Sequence, residues 1–379
     1  MTDFPPFCPN RNCIHHRRLP PAGAGRWYRL AGSYSTKAFG PVQRYRCRAC
    51  RRSFSAQTFA LDYFIKLPID YRELFSRITS GSGLRSIGRK LQLSHQIIGN
   101  RISRLARQAL ALQARLLVGF ALDEDLAADG FESFVASQYE PNNIHLLVGA
   151  TSQFLYEFDY AHLRRKGRMS AAQKDERERR EGLWVRPPVS ISASFSHILE
   201  SLEGLLAGRV KERVRLFTDE RHEYHRLIDR SPPLQSLRRR GLFSHLRISS
   251  KKARTLTNRL FPVNYWDREL RKDNADQVRE TVQFSRSVAS CLERIAVYQM
   301  WHNYFKPYRI DDGPKSRLLH GQVAGIDRER IEAELEGIFE RRRFLSRVRL
   351  SWSQALVWFR MVGNLERRSG GYWPAYVWM

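Results

Sequence analysis

Four cysteines near the N-terminus have the types and spacing of a metal centre. Cys8 and Cys13 enclose four residues, and Cys47 and Cys50 form a CxxC pair. Two close thiolate pairs separated by a variable loop are the ligand pattern of a tetrahedral structural Zn²⁺ site, not of a disulfide scaffold. The second pair sits in YRCRACRRSFS, where Tyr45 and the alternating basic residues predict a strand, a knuckle turn and a strand ending at Phe54. A segment of about 60 residues closes little core by itself, so bound zinc would supply folding free energy, roughly 10–16 kcal/mol in apparent terms. His15 and His16 follow the first pair and are expected as surface or DNA-facing residues rather than ligands. Cys291 lies alone in an apolar helical stretch and is expected in the core.

The charge distribution says what such a module would meet. Across 379 residues there are 65 Lys and Arg against 38 Asp and Glu, a net charge of +27. A balance that basic points to nucleic acid or an anionic surface as partner. It is unevenly spread. From Phe4 to Ala60 there is no acid and there are eleven Lys and Arg; from Leu74 to Leu122 there is again no acid, with eight. Acids return at Asp123, Glu124, Asp125 and Asp129, and the remainder is mixed. A basic front joined to a mixed-charge body is the layout of a nucleic-acid-binding module attached to something with other work. At 42% hydrophobic residues the chain can bury a sizeable core. No apolar run approaches the roughly 18 residues of a membrane span, and the first residues lack the order of a signal peptide. A cytoplasmic, nucleoid-associated protein with no membrane partner is therefore expected. No internal repeat or low-complexity tract is visible.

Residues 70–112 read as three helices. Around Asp70 to Thr79, Tyr71, Leu74, Phe75 and Ile78 share one side, and TSGSG ends the run. Leu84 to Leu91 puts Leu84, Ile87 and Leu91 at helical spacing; Gln92 and Leu93 make a short turn, and Ser94 can cap a third helix. That helix has an apolar stripe of Ile98, Ile102, Leu105 and Ala109, with Arg101, Arg104 and Arg107 on its other side. In a helix-turn-helix the start of the second helix enters the major groove and flanking arginines meet phosphates. His95, Gln96 and Asn100 are thus the candidate base readers, and Arg101, Arg104 and Arg107 the candidate phosphate contacts.

Beyond residue 120 the periodicity alternates. Strands are expected at Ile144 to Ala150, Phe154 to Phe158, Val214 to Thr218 and Leu242 to Ile248, with a helix over Ile191 to Leu206. The order is strand, strand, strand, helix, strand, helix, strand, helix, with Asp129 near the first strand, ahead of Ile144, and Asp219 at the end of the fourth, Val214 to Thr218. A mixed sheet in that order is what ribonuclease H-like nucleases and integrases use. With CPNRNC and YRCRACRRSFS, then GLRSIGRKLQLS, ADGFESFVASQYEP, HLRRKGRMSAAQK, LFTDE, FPVNYWDRELRKDNADQVRETVQFSRS and WHNYFKPYR, the chain resembles the DDE-type transposases of bacterial insertion sequences that carry an N-terminal zinc ribbon. The resemblance runs from about residue 5 to about residue 310.

It implies a multidomain α/β architecture: a zinc ribbon over 1–60, a helix-turn-helix domain over 68–116, a ribonuclease H-like, integrase-type mixed-sheet catalytic domain over 120–310 and a helical C-terminal tail over 311–379. It also implies chemistry. Two Mg²⁺ (or Mn²⁺) ions about 3.5–4 Å apart, held by three acids, would support hydrolysis at a transposon end and attack of the freed 3′-hydroxyl on target DNA. Asp129 and Asp219 match the first two acids. The third belongs on the helix after the fifth strand, followed by a basic residue. Asp267, four residues before Arg271, fits that place; Glu280 is the alternative, and Asn264 stands two turns before Arg271 with an amide where a carboxylate is needed. Expected partners are double-stranded DNA, both transposon ends and target, and further copies of the chain assembled on it.

Two other readings remain: a DNA-binding regulator or inactive remnant that keeps the zinc and helix-turn-helix modules, and a metal-dependent nuclease that cuts without joining. Residues 164–187 hold nine Lys and Arg against four acids and serve either as a solvated insertion or as a DNA-contacting arm. Trp301, Tyr304 and Phe305 are expected in the core, and Trp352, Trp358 and Phe359 in core packing or a subunit contact.

Overall fold

The N-terminal segment folds around aromatic rings and cysteines, since it has few aliphatic side chains. In the computed structural model, which describes residues 4–21, 25–184, 189–207, 213–249, 251–278, 283–309, 318–365 and 377–378, a short helix α1 (Ile14–Arg17) precedes three strands. These are β1 (Tyr28–Thr36), β2 (Gly40–Cys47) and β3 (Ser53–Ser55), an antiparallel sheet in the order β1-β2-β3. Trp27 stacks on Phe54 at 5.7 Å and Tyr28 meets Tyr45 edge-on at 5.4 Å. These rings, Phe59 and the buried Cys8, Cys13 and Cys47 form a small core of their own.

Three helices follow: α2 (Tyr71–Thr79), α3 (Leu84–Leu91) and α4 (His95–Leu116). Asp70 caps α2 by accepting from the Arg72 and Glu73 amides at 2.8 and 3.2 Å, and Ser94 caps α4 by accepting from Ile97 at 3.3 Å. The turn between α3 and α4 is set by Gln92, left-handed at φ 53°, and by Gly88, where a Cβ would stand 2.6 Å from the Leu93 carbonyl oxygen. No larger residue fits that turn without moving backbone.

The body is a five-stranded mixed sheet of β4 (Leu126–Phe134), β5 (Pro141–Gly149), β6 (Leu155–His162), β7 (Val214–Thr218) and β8 (Phe243–Arg247), in the order β6-β5-β4-β7-β8. β4, β5 and β6 pair antiparallel; β4 with β7 and β7 with β8 pair parallel. Between β6 and β7 lie α5 (Ala171–Gly182) and α6 (Ile191–Leu206); between β7 and β8, α7 (His222–Arg230) and α8 (Pro232–Arg239). After β8 come α9 (Phe261–Asp273), α10 (Val288–Tyr304), α11 (His320–Val323), α12 (Arg328–Leu335) and α13 (Trp352–Trp358). β6 is buried along its whole length, which requires cover on both faces. α6 meets one face, where Ser201 donates to Glu157 and His197 pairs with Asp159. α4 and α10 meet the strand from the other side, with Gln113 and Gln299 donating to the Leu155 carbonyl.

One apolar core runs from Leu61 through Ile102, Leu146 and Trp266 to Trp358, so the helical, sheet and C-terminal segments divide the chain but share their interior. The C-terminal segment is a strap. Leu61 donates to the Glu340 carbonyl and Arg342 to the Phe59 carbonyl, both at 2.8 Å. Phe344 joins the aromatic core of the N-terminal sheet, and Arg347 binds the His16 carbonyl and lies 4.7 Å from the Phe7 ring centre. Ser351 and Ser353 then donate to Glu157 and Asp159 on β6, each at 2.6 Å. Cys291, Tyr304 and Trp358 are buried as expected, and Trp301, Phe305 and Phe359 pack at the margin of the core. Among the described residues, no helix is long and apolar enough to cross a membrane.

Candidate functional site

The parallel pairing of β4 with β7 brings the two expected aspartates side by side. The pairing ends with Ala127 opposite Phe217; Asp129 lies two residues further along β4 and Asp219 just past the end of β7, near enough for the Asp219 charge to act on Asp129. Strands so paired lie about 4.8 Å apart. Each carboxylate is oriented by backbone: Asp129 Oδ1 accepts from the Gly130 amide at 2.7 Å, and Asp219 Oδ1 from the Arg221 amide at 2.9 Å. Gly130 is needed there, since a Cβ would stand 2.1 Å from the Asn143 side chain on β5.

The candidate for the third acid, Asp267, lies on α9. Pro262 starts that helix, and Asp267 lies a turn further on with Oδ1 buried and without a hydrogen-bond partner. Burial and the Asp129 charge push its carboxyl up to about 7, against the pull of Arg271 and Arg254. Asp129 rises to about 6 from burial and from the Asp219 charge, opposed by the Gly130 amide, Arg221 and Arg254. The Asp129 carboxyl thus sits between two like charges, Asp219 and Asp267, a repulsion that a bound cation would relieve. Asn264, one turn before Asp267, is occupied as acceptor for Arg254 at 2.9 Å. Arg271, the basic residue after Asp267, donates to the Glu132 carbonyl at 3.1 Å and covers the Phe131 ring. Glu280 lies outside the described residues.

The four cysteines do converge. Cys8 and Cys50 sulfurs are 3.6 Å apart, Cys13 and Cys47 sulfurs 3.7 Å, and all four lie within 4.8 Å of one another. A tetrahedron of thiolates at about 2.3 Å from zinc has edges of about 3.8 Å, so the set fits a structural Zn²⁺ ion. Among the described residues it is the one group of three or more ligands that tight; the aspartates are more widely spread. Neither histidine substitutes for a cysteine. His16, expected at the surface, is buried with Nδ1 2.7 Å from the Cys8 carbonyl, and His15 tilts against Trp27.

On α4, His95, Gln96 and Asn100 are exposed. Arg101, Arg104 and Arg107 are not on an open face: they are buried, with guanidinium groups donating to the carbonyls of Leu67 (3.0 Å), Leu61 (2.8 Å) and Trp358 (3.1 Å). An apolar stripe leaves a second face free only if nothing else packs there, and here α10, α12, α13 and the loop before α2 surround the helix from residue 101 onward. The phosphate-contact assignment of these three residues is therefore corrected. Exposed cations stand instead on α3, where Arg85 and Arg89 flank a cleft of about 530 Å³ that also takes in His95, Arg286 and Arg294. The (i, i+4) spacing of Arg85 and Arg89 was the available sequence signal for them. In the 164–187 segment, Glu176 is paired with Arg179 and Arg180, and Glu181 with Arg164, while Lys166, Arg168 and Lys174 remain exposed.

No family model and no curated protein matches the chain.

Proposed function

We propose that this chain is a DDE-type transposase that binds transposon-end DNA and performs metal-dependent cleavage and strand transfer. The observation that supports it most is the placement of three acids: one on β4 and one just past the end of its parallel neighbour β7, in a sheet ordered β6-β5-β4-β7-β8, and one on the helix after its last strand. In this reading the sheet is of ribonuclease H type and the four cysteines hold the zinc of a ribbon module. Asp129, Asp219 and Asp267 would hold Mg²⁺ or Mn²⁺. Those ions, when bound, would activate a water and stabilise the leaving oxygen.

The protein's own groups do the rest. The Gly130 and Arg221 amides fix the carboxylates of Asp129 and Asp219 in place before any ion arrives, so that little reorganisation accompanies binding. The repulsion between Asp129 and its neighbours Asp219 and Asp267 would be relieved by a divalent cation held among them. Hydrolysis at a transposon end replaces the bond from phosphorus to the 3′ oxygen by one to the water oxygen, leaving a 3′-hydroxyl. That hydroxyl then displaces a 3′ oxygen in target DNA, one phosphodiester made for one broken. His95, Gln96 and Asn100 would read base edges in the major groove while Arg85 and Arg89 contact phosphates. Holding two ends and a target calls for more than one copy of the chain.

The test is a strand cleavage and joining assay on DNA flanking the native gene, with Mg²⁺, comparing wild type with Asp129→Ala, Asp219→Ala and Asp267→Ala. Joined products from wild type alone are expected. Tight binding without cutting, equal in the variants, would replace the proposal by a DNA-binding regulator; cutting without joining would replace it by a nuclease.

A further inference from the structure

Phe64 is in a position that folding does not explain. It is 76% exposed, and its backbone is left-handed at φ 59°, a conformation that L-residues with large side chains avoid. Its ring stands 4.4 Å from that of Tyr63 and lines an open groove of about 1060 Å³ between the β1–β2 hairpin and the segment leading to α2. Tyr34 and Phe39 line the same groove, and Arg44 lies 4.7 Å from the Tyr34 ring centre. The remaining cations are Lys37, Arg52 and Lys66, all exposed; no acid lines the groove, and none of these cations has an ion pair among the described residues.

We infer that this groove binds unpaired nucleotides of a DNA strand, with a base stacked on Phe64 and the phosphates along Lys37, Arg44, Arg52 and Lys66. Aromatic faces beside a cationic track are the two components of single-strand binding. A duplex keeps its base faces stacked on one another and has none to offer Phe64; an unpaired base does. A protein partner would leave the cations without use unless it were acidic, whereas a nucleic-acid strand supplies one phosphate per residue. Holding Phe64 exposed in a strained conformation is the kind of cost kept where a side chain has work to do. The inference goes beyond the proposed catalytic function, since it uses neither the aspartates nor α4.

The experiment measures binding of the full chain to a blunt duplex and to the same duplex with a short single-stranded extension carrying 2-aminopurine. The extension is expected to tighten binding and to change the 2-aminopurine fluorescence on stacking. Phe64→Ala should lose about 5- to 150-fold of that added affinity per stacked base, with the blunt duplex unaffected. Phe64→Gly should lose as much while its Tm holds or rises, because glycine accepts a positive φ; Phe64→Trp should retain the effect. Binding is read without added Mg²⁺ and needs no cleavage, so failure here is distinguishable from failure of the catalytic proposal. The inference is overturned if the extension adds nothing, if Phe64→Ala keeps the increment, or if the variant weakens blunt duplex equally, which would make duplex the occupant.

Discussion

Replacing Asp267 by asparagine should make the magnesium-free protein more stable while removing its response to magnesium. The carboxyl stands at about 7 in the folded chain against an ordinary value of 3.8. A raised folded value means that the folded state disfavours the ionised form, so the penalty is small below the unfolded value and grows as pH rises towards the folded one. Without solvent screening the penalty is about 1.6 kcal/mol at pH 5 and about 4 kcal/mol at pH 8, using 1.36 kcal/mol per pH unit. Solvent screening at a half-buried group cuts these to roughly half. Asp267→Asn removes the titration, so its advantage over wild type should rise from about 1 kcal/mol at pH 5 to about 2 kcal/mol at pH 8. The assay is urea unfolding at both pH values, with and without Mg²⁺ and without chelator, so that the cysteine site keeps its zinc. Wild type should gain stability from Mg²⁺ and the variant should not. A destabilised Asp267→Asn, an advantage that shrinks with rising pH, or a variant that still gains from Mg²⁺ would refute the placing of Asp267 in a repulsive acid cluster.

Purified protein should carry about one zinc per chain, and Cys47→Ser should lose both the ion, by metal analysis, and the protease resistance of residues 4–60. Arg85→Ala with Arg89→Ala should lower the slope of log Kd against log salt by about 1.8, at roughly 0.9 per lost phosphate contact, with unfolding midpoints unchanged. Arg104→Ala should do the reverse: its loss removes the donor to the Leu61 carbonyl and one of the two cations, Arg101 and Arg104, beside Asp62, for about 1–3 kcal/mol of stability in denaturant titration. Gly88→Ala forces the α3–α4 turn apart against the Leu93 carbonyl and should cost about 1–3 kcal/mol, while zinc content stays at the wild-type level.

Much of the local structure was legible in residue order. β7 and α6 occupy Val214–Thr218 and Ile191–Leu206, the spans that alternation and helical spacing predict, and α3 occupies Leu84–Leu91. Short-range periodicity carries that information, and so does the spacing of the cysteines, because each pair is held on its own turn. What residue order could not carry was which faces become covered. Arg101, Arg104 and Arg107 read as an open basic face, yet α10 and a C-terminal segment without recognisable pattern close over it. Between Asn264 and Asp267 the difference likewise turned on α9: Arg254 takes Asn264, whereas Asp267 lies close enough to Asp129 to feel its charge.

The sequence alone determined the elements, the four-cysteine set and the identity of Asp129 and Asp219 as candidates, since each depends on neighbours within a few residues. Tertiary structure alone decided that Asp129 lies near both Asp219 and Asp267, and that the C-terminal segment straps the N-terminal sheet to the body. Those outcomes depend on strand order and on contacts between residues hundreds of positions apart, where burial is settled by the whole packed core and no local pattern records it.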